Sequence, residues 1–129
     1  MNKEPRFSEA SSKRIRADLL RSEMNGHATA ENVRQVSNDY RRMVEPGAAW
    51  IVDGKAVTSF AYDAVETAKT EFMQLARGFG LVTLVAILPN ALPRMGAMAV
   101  GVALRAANSP LLLTVVDTDA AAMAFLAKR

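Results

Sequence analysis

The sequence predicts one α/β domain: a mixed, mostly parallel sheet of four to five strands with helices packed on it. Three observations carry that prediction. Short apolar runs recur at Trp50-Ile51-Val52, at Leu81 to Leu88 and at Leu111 to Val116, each of a length that suits a buried strand. Between them lie segments whose apolar residues step by three and four, the spacing of a helix with one buried face. Strand and helix then alternate along the chain, and such alternation resolves into right-handed crossovers with helices on the sheet faces. The domain is expected to fill residues 1–129, with 1–4 as a disordered tail.

The first segment admits two readings. Ser11 to Gly26, SSKRIRADLLRSEMNG, has a serine cap, good helix formers and an Asn-Gly stop, as a helix would. Ile15, Ala17 and Leu19 also alternate with Arg14, Arg16 and Asp18, as in a half-exposed strand. In that second reading Phe7 lies on a preceding strand and Ser11-Ser12-Lys13 makes the hairpin turn. Thr29 to Glu45 is a plainer helix. Thr29 can cap it and Glu31 sits at the positive end of the dipole. Val33, Val36, Tyr40, Met43 and Val44 make its apolar stripe, and Pro46-Gly47 ends it.

Trp50-Ile51-Val52 reads as a central strand with Asp53-Gly54 as its exit turn. A polar corner follows, and then a helix marked by Ala61, Ala64, Val65, Ala68, Phe72, Leu75, Ala76 and Phe79. Gly78 and Gly80 stop it. Leu81 to Leu88 has no polar alternation, so that strand should be covered on both faces. A helix from about Pro93 to Asn108 comes next, with proline tolerated in its first turn. It is apolar almost all round. Leu111 to Val116 is the last strand, and Asp117, Thr118 or Asp119 caps a final helix ending in Lys128 and Arg129. Trp50, Ile51, Val52, Phe72, Leu84, Ile87, Leu113 and Val115 are expected to share one core.

Composition narrows function mostly by exclusion. The chain has 129 residues, half of them hydrophobic, and a net charge of +3. Residues 1–50 hold nine Lys/Arg against seven acids, and residues 51–129 hold seven against six. That even spread lacks the basic face of a nucleic-acid binder. There is no cysteine and one histidine, His27, so disulfides, thiolate chemistry and three-histidine zinc sites are not available. His27 beside Gly26 reads as a turn residue. No cofactor or metal is expected. Pro89-Asn90 and Pro93-Arg94 interrupt Leu81–Leu104, leaving neither half with the ~20 apolar residues of a membrane span. MNKEPRFSEA lacks a signal-peptide core, and a cytoplasmic location is the expectation. No glycine-rich phosphate loop follows a strand, since Gly78-x-Gly80 comes after a helix. The inventory argues against an enzyme.

The corner residues carry a family resemblance. WIVDGKAVTSFAYDAVETA resembles the segment of STAS-type domains, the anti-sigma-factor-antagonist fold, in which a buried strand ends in Asp before a loop and helix. VAILPNALPRMGAMAV and LLLTVVDTDAAAMAFL resemble the ending of the bacterial STAS/SEC14-like subgroup. Gly26-His27-Ala28-Thr29-Ala30-Glu31 resembles its glycine exit and capped first helix. The resemblance covers about residues 14–127 and favours the hairpin over the helix at the N-terminus. It implies a regulatory module that binds a protein partner through the corner, here Thr58, Ser59, Tyr62 and Asp63. Antagonist members carry a phosphorylatable serine there within Asp-Ser-Ser-Gly. This chain has Ala61-Tyr62-Asp63-Ala64 in that register, with Asp63 at the acceptor position and Thr58 and Ser59 upstream. The all-round apolar helix adds an expectation of homodimerisation through Met95, Met98 and Val100, because a small sheet covers only one side of it. A small apolar ligand or lipid is the alternative occupant.

Overall fold

In a computed structural model, which describes residues 9–128, the sequence-predicted alternation is present throughout. The elements are β1 (Glu9–Arg16), β2 (Leu19–Ala28), α1 (Ala30–Met43), β3 (Ala49–Phe60), α2 (Tyr62–Gly78), β4 (Thr83–Ile87), α3 (Ala91–Ala106), β5 (Leu112–Val116) and α4 (Asp119–Ala127). The five strands form one sheet in the order β1-β2-β3-β4-β5. β1 pairs antiparallel to β2, and every other pair is parallel.

Sequential order has a geometric consequence. Right-handed crossovers that always step in the same direction put their helices on the same face. α1, α2 and α3 accordingly share one face with Leu20, Trp50, Val52, Leu84 and, at its border, Leu113 and Val115. The other face holds Leu19, Ile51, Val85 and Ile87 under α4, which contributes Ala122 and Phe125. The residues expected to share one core thus divide between two. Side chains alternate across a strand, so Ile51 and Ile87 point away from Trp50 and Leu84.

The N-terminal segment is a hairpin, with its turn at Ala17-Asp18 rather than at Ser11-Ser12-Lys13. Those three residues lie inside β1, and Ser12 Oγ hydrogen-bonds across the pair to Ser22 Oγ at 2.7 Å. Sheet pairing overrides the local helix propensity here. Phe7 and residues 1–4 lie outside the described residues, as does Arg129. The α1 cap is reciprocal: Thr29 Oγ1 accepts from Asn32 N–H at 3.2 Å, and Asn32 Oδ1 accepts from Thr29 N–H at 3.0 Å. α4 is capped by Thr118, whose hydroxyl accepts from Ala121 N–H; Asp117 and Asp119 serve elsewhere. At the end of α2 only Gly80, at φ +72°, takes the left-handed conformation, while Gly78 remains helical.

β3 differs most from expectation. Asp53-Gly54 is not an exit turn, because the strand continues to Phe60. Gly54 passes so close to β4's exit that a Cβ there would stand 2.4 Å from Leu88 Cδ2 and 3.3 Å from Ile87 O. The glycine serves a close approach, not a reversal.

Trp50 and Phe72 meet edge to face, ring centroids 5.5 Å apart, and Phe72 is 9% exposed. Phe72→Ala is therefore expected to cost ~3–5 kcal/mol. Urea titration checks it; a loss below ~1 kcal/mol is what a surface site would give.

Candidate functional site

The parallel strands all end at one rim, where the four helices begin. Open α/β sheets place their ligands at such rims. The rim is uneven. Asp53 is the last β3 residue paired with β4, opposite Ile87, and β3 then runs on beside β2 alone. Its partners there include Asn25 with Ala56, Gly26 with Val57 and His27 with Ser59, with register breaks at Glu23/Asn25 and Gly26/His27. A two-stranded ribbon thus projects past the rest of the sheet and ends in the corner.

Thr58 and Ser59 lie on that ribbon rather than in a loop. Ser59 does not cap α2. The N-cap is Ala61, which makes no side-chain cap, and Ser59 Oγ instead hydrogen-bonds His27 Nδ1 at 2.7 Å. His27 is correspondingly a strand residue at the end of β2 and not a turn residue. Ala61 N–H donates to Ala28 O at 2.9 Å, which fixes the start of α2 against the end of β2. Asp63 is exposed in the first turn of α2, where the helix dipole favours a carboxylate. Tyr62 is 82% exposed, the most exposed of the large hydrophobics among the described residues. The structure brings all four sequence-predicted corner residues to one end of the molecule.

The self-association residues separate. Met95 and Met98 are exposed at 65% and 61%, alongside Leu92 and Val102, whereas Val100 is 4% exposed in the core. Pro93, Val100 and Leu104 are the buried residues of α3, and steps of seven and four put them on one stripe. Val100 is therefore withdrawn from the outer surface. The helix looked apolar on all sides because its buried stripe and its exposed stripe are both apolar.

Two features escaped the sequence reading. The first is an ion-pair network on the α4 side of the sheet. Arg21 donates to Asp53 at 2.7 Å and to Asp119 at 2.6 Å; Lys55 meets Asp53 at 3.1 Å and also pairs with Asp119. Asp53 is thus a buried partner of two cations, and its N-terminal-to-Gly position says nothing of that. Three elements contribute, with Arg21 and Asp119 98 positions apart, so no local spacing announces the network. Hydrogen bonds from Lys55 and then Arg21 hold the Asp119 carboxyl below its usual range. The hydrogen bond to Asp119 likewise raises Lys55. Burial opposes the Arg21 charge, yet the bond to Asp119 and the two carboxylate charges together raise its pKa.

The second feature is an apolar cavity of about 50 Å³ between the sheet and helices α2 and α3, lined by Val52, Phe60, Val65, Phe72, Gly96 and Val100 among others. It lies directly beneath the corner, since Phe60 and Val65 bracket Tyr62 and Asp63. Elsewhere, no helix of the described residues is long and apolar enough to cross a membrane. Nor do three or more His, Asp or Glu side chains among those residues converge as metal ligands would.

No protein-family model matches the chain, and no curated protein matches it. Among solved structures it is similar to an uncharacterised protein of the DUF3478 family from Shewanella loihica PV-4, described as having a SpoIIAA-like fold. Identity is 16%, the match covers 98% of each chain, and the TM-score is 0.57. The fold is therefore SpoIIAA-like, that is STAS-like, which agrees with the resemblance at the level of the fold. At that identity the likeness speaks for the fold.

The network sets a pH dependence. A depressed carboxyl contributes stability that is present above its unfolded pKa, about 3.9, and is lost as pH falls through the lower folded value. The raised cations lose theirs only as pH climbs through their folded values, above about 10.4 for lysine. Asp119→Asn should cost at most ~1 kcal/mol at neutral pH, because solvent screens this half-exposed pair. Below about pH 4 its stability should fall less steeply than wild type's; urea midpoints across an acid series check this.

Proposed function

We propose that the chain is a non-enzymatic regulatory or scaffolding module of the bacterial STAS/SEC14-like kind, acting by binding a protein partner or a second copy of itself. The observation that supports this most is the corner. Tyr62 stands 82% exposed beside exposed Asp63, on a helix start anchored to β2 by a backbone hydrogen bond. Exposed aromatics on firmly held backbone are the usual anchors of protein interfaces. Thr58 and Ser59 extend the same surface along β3. With Asp63 in the register where antagonists hold their phosphorylatable serine, the surface carries a constant negative charge, and the helix dipole stabilises it by ~0.3–1 kcal/mol.

The outer stripe of α3, with Met95 and Met98, is the self-association surface in this reading. An apolar stripe of this kind marks an interaction site.

A second reading, an apolar ligand, draws on the apolar cavity under the corner. Its volume of about 50 Å³ sits well below the ~150 Å³ of a cavity that takes benzene. A lipid-sized occupant would require α2 and α3 to part.

Native mass spectrometry of the purified protein separates the two. A retained protein or a dimer is expected; a lipid-sized adduct on a monomer would favour the second reading instead. Tyr62→Ala and Asp63→Lys should each weaken a retained partner by more than about tenfold with little change in the urea midpoint. Unchanged affinity in both would reduce the corner to a helix start. Met98→Lys should leave a folded protein with weaker self-association, while Val100→Lys should unfold it, because an unpaired charge would enter the core; circular dichroism and sedimentation distinguish these outcomes.

A further inference from the structure

The sheet has two edges, and they are finished differently. The β1 edge carries Lys13, Arg14 and Arg16, and its register breaks between Arg14 and Arg16. Charges and breaks of that kind discourage a further strand. The β5 edge, Leu112-Leu113-Thr114-Val115-Val116, has no charge and no break in register against β4.

Its backbone is half used. Leu112 N–H donates to Val82 O, and Val116 O accepts from Leu88 N–H, both at 2.9 Å. In a parallel pair the residues of one strand take turns bonding to each neighbour, so Leu112, Thr114 and Val116 face β4. The N–H and C=O of Leu113 and Val115 face outward. Among the described residues no strand lies beyond them.

The flank of α3 beside this edge can be identified. Gly96 faces Phe60 and Val65, at 3.2 and 3.4 Å from a Cβ built on it, so that side of α3 looks toward α2. Arg94 ion-pairs with Asp117 just past β5, so that side looks toward the edge. Met98, Gly101 and Arg105 follow Arg94 at steps of four, three and four, the spacing of one helical face. Arg105 is exposed in the last turn of α3, and no ion pair to it occurs among the described residues.

We propose that a second copy of this chain pairs antiparallel with β5, making one continuous sheet across a two-fold axis at Thr114. This rests on the self-association reading above and adds the β5 edge, beside the outer stripe of α3, to the surface it uses. With Thr114 opposite itself, Leu113 meets Val115 of the second copy, and the reverse. Each of those pairs exchanges N–H···O=C bonds, using the groups that face outward. Leu112, 56% exposed, comes beside Val116 of the second copy in a close non-hydrogen-bonded pair. α3 runs antiparallel to β5, so Arg105 lies at the N-terminal end of the strand. The pairing brings Asp117 of the second copy to that end, opposite the unpaired guanidinium. A second copy is the occupant because the edge is self-complementary in register and the chain supplies both charges.

Amide hydrogen exchange and sedimentation over a concentration series test this. At about 100 μM, a range that populates micromolar dimers, the protein should sediment as a dimer. Exchange at Leu113 and Val115 should slow as concentration rises, while Leu112 and Thr114 stay constant. Val115→Pro removes an outward donor at an edge position that tolerates proline, together with a half-buried side chain, and should yield a monomer that circular dichroism shows to be folded. Arg105→Glu, on the surface and safe for folding, should weaken the dimer about tenfold at low salt and less at high salt. A dimer whose Leu113 and Val115 amides exchange freely, and which Arg105→Glu leaves unchanged, overturns the edge pairing while self-association through Met95 and Met98 stands. A monomer at every concentration overturns both.

Discussion

One hydrogen bond organises the centre of this molecule. Trp50 lies on the middle strand, fully buried, and an indole N–H taken out of water needs an acceptor. Ser22 Oγ, itself fully buried on β2, accepts it at 2.9 Å and shares a further bond with Ser12 on β1. The bond therefore ties three strands and fixes which face of β2 turns toward α1 to α3, since a slip of one residue would exchange Ser22 for Arg21. Aromatic packing extends outward from the same ring. The Tyr40 ring centroid lies 5.0 Å from that of Trp50 and 5.6 Å from that of Phe79, and Phe72 meets Trp50 edge to face. The Tyr40 hydroxyl donates to Ala48 O at 2.5 Å, and burial pushes its pKa up to about 12. Helices α1 and α2 are thereby both gauged against β3.

The order of strands then decides what remains uncovered. Because three crossovers step the same way, among the described residues one face receives three helices and the other only α4, nine residues long. A short helix cannot cover five strands. The network of Arg21, Lys55, Asp53 and Asp119 closes the boundary where α4 begins, so the polar groups that burial would otherwise strand find partners there. At the β5 side the Arg94–Asp117 pair stands only at the C-terminal end of the strand, and Leu112 stays in solvent.

How much of this could be read from residues depended on whether the determinant was local. The capped start of α1 was legible, because Thr29 and its acceptor partner lie three residues apart. So was β4, whose five residues are all buried, as an unbroken apolar run requires. The N-terminal hairpin was legible only through the family resemblance. Its turn was misplaced because Ser11-Ser12-Lys13 has turn chemistry, whereas Ala17-Asp18 is held by contacts from elsewhere: Asp18 O accepts from Ala49 N–H at 2.9 Å. Asp53-Gly54 misled for the mirror reason. Its glycine answers to Leu88, 34 positions away, and no local pattern encodes that. At the corner, Tyr62 and Asp63 are exposed because a helix start exposes its first residues. Val100 was misassigned as surface, because a helix's rotation is set by what packs against it.

The same packing places the two candidate surfaces on either side of one element. Gly96 of α3 touches Phe60 and Val65, which flank the corner, while Arg94 on the next flank reaches Asp117 beyond β5. The absence of a side chain at Gly96 lets α3 sit this close to the corner; an added Cβ would stand 3.2 Å from the Phe60 ring, tighter than ordinary contact. Position along α3 is thus set by the residues of the corner at one flank and by the β5 edge at the other, with a small cavity between α3 and the sheet leaving slack beneath it. Packed interiors transmit displacement rather than absorb it. A partner that moved Phe60 would therefore move α3, and with it the line of Met98 and Arg105 along the sheet edge.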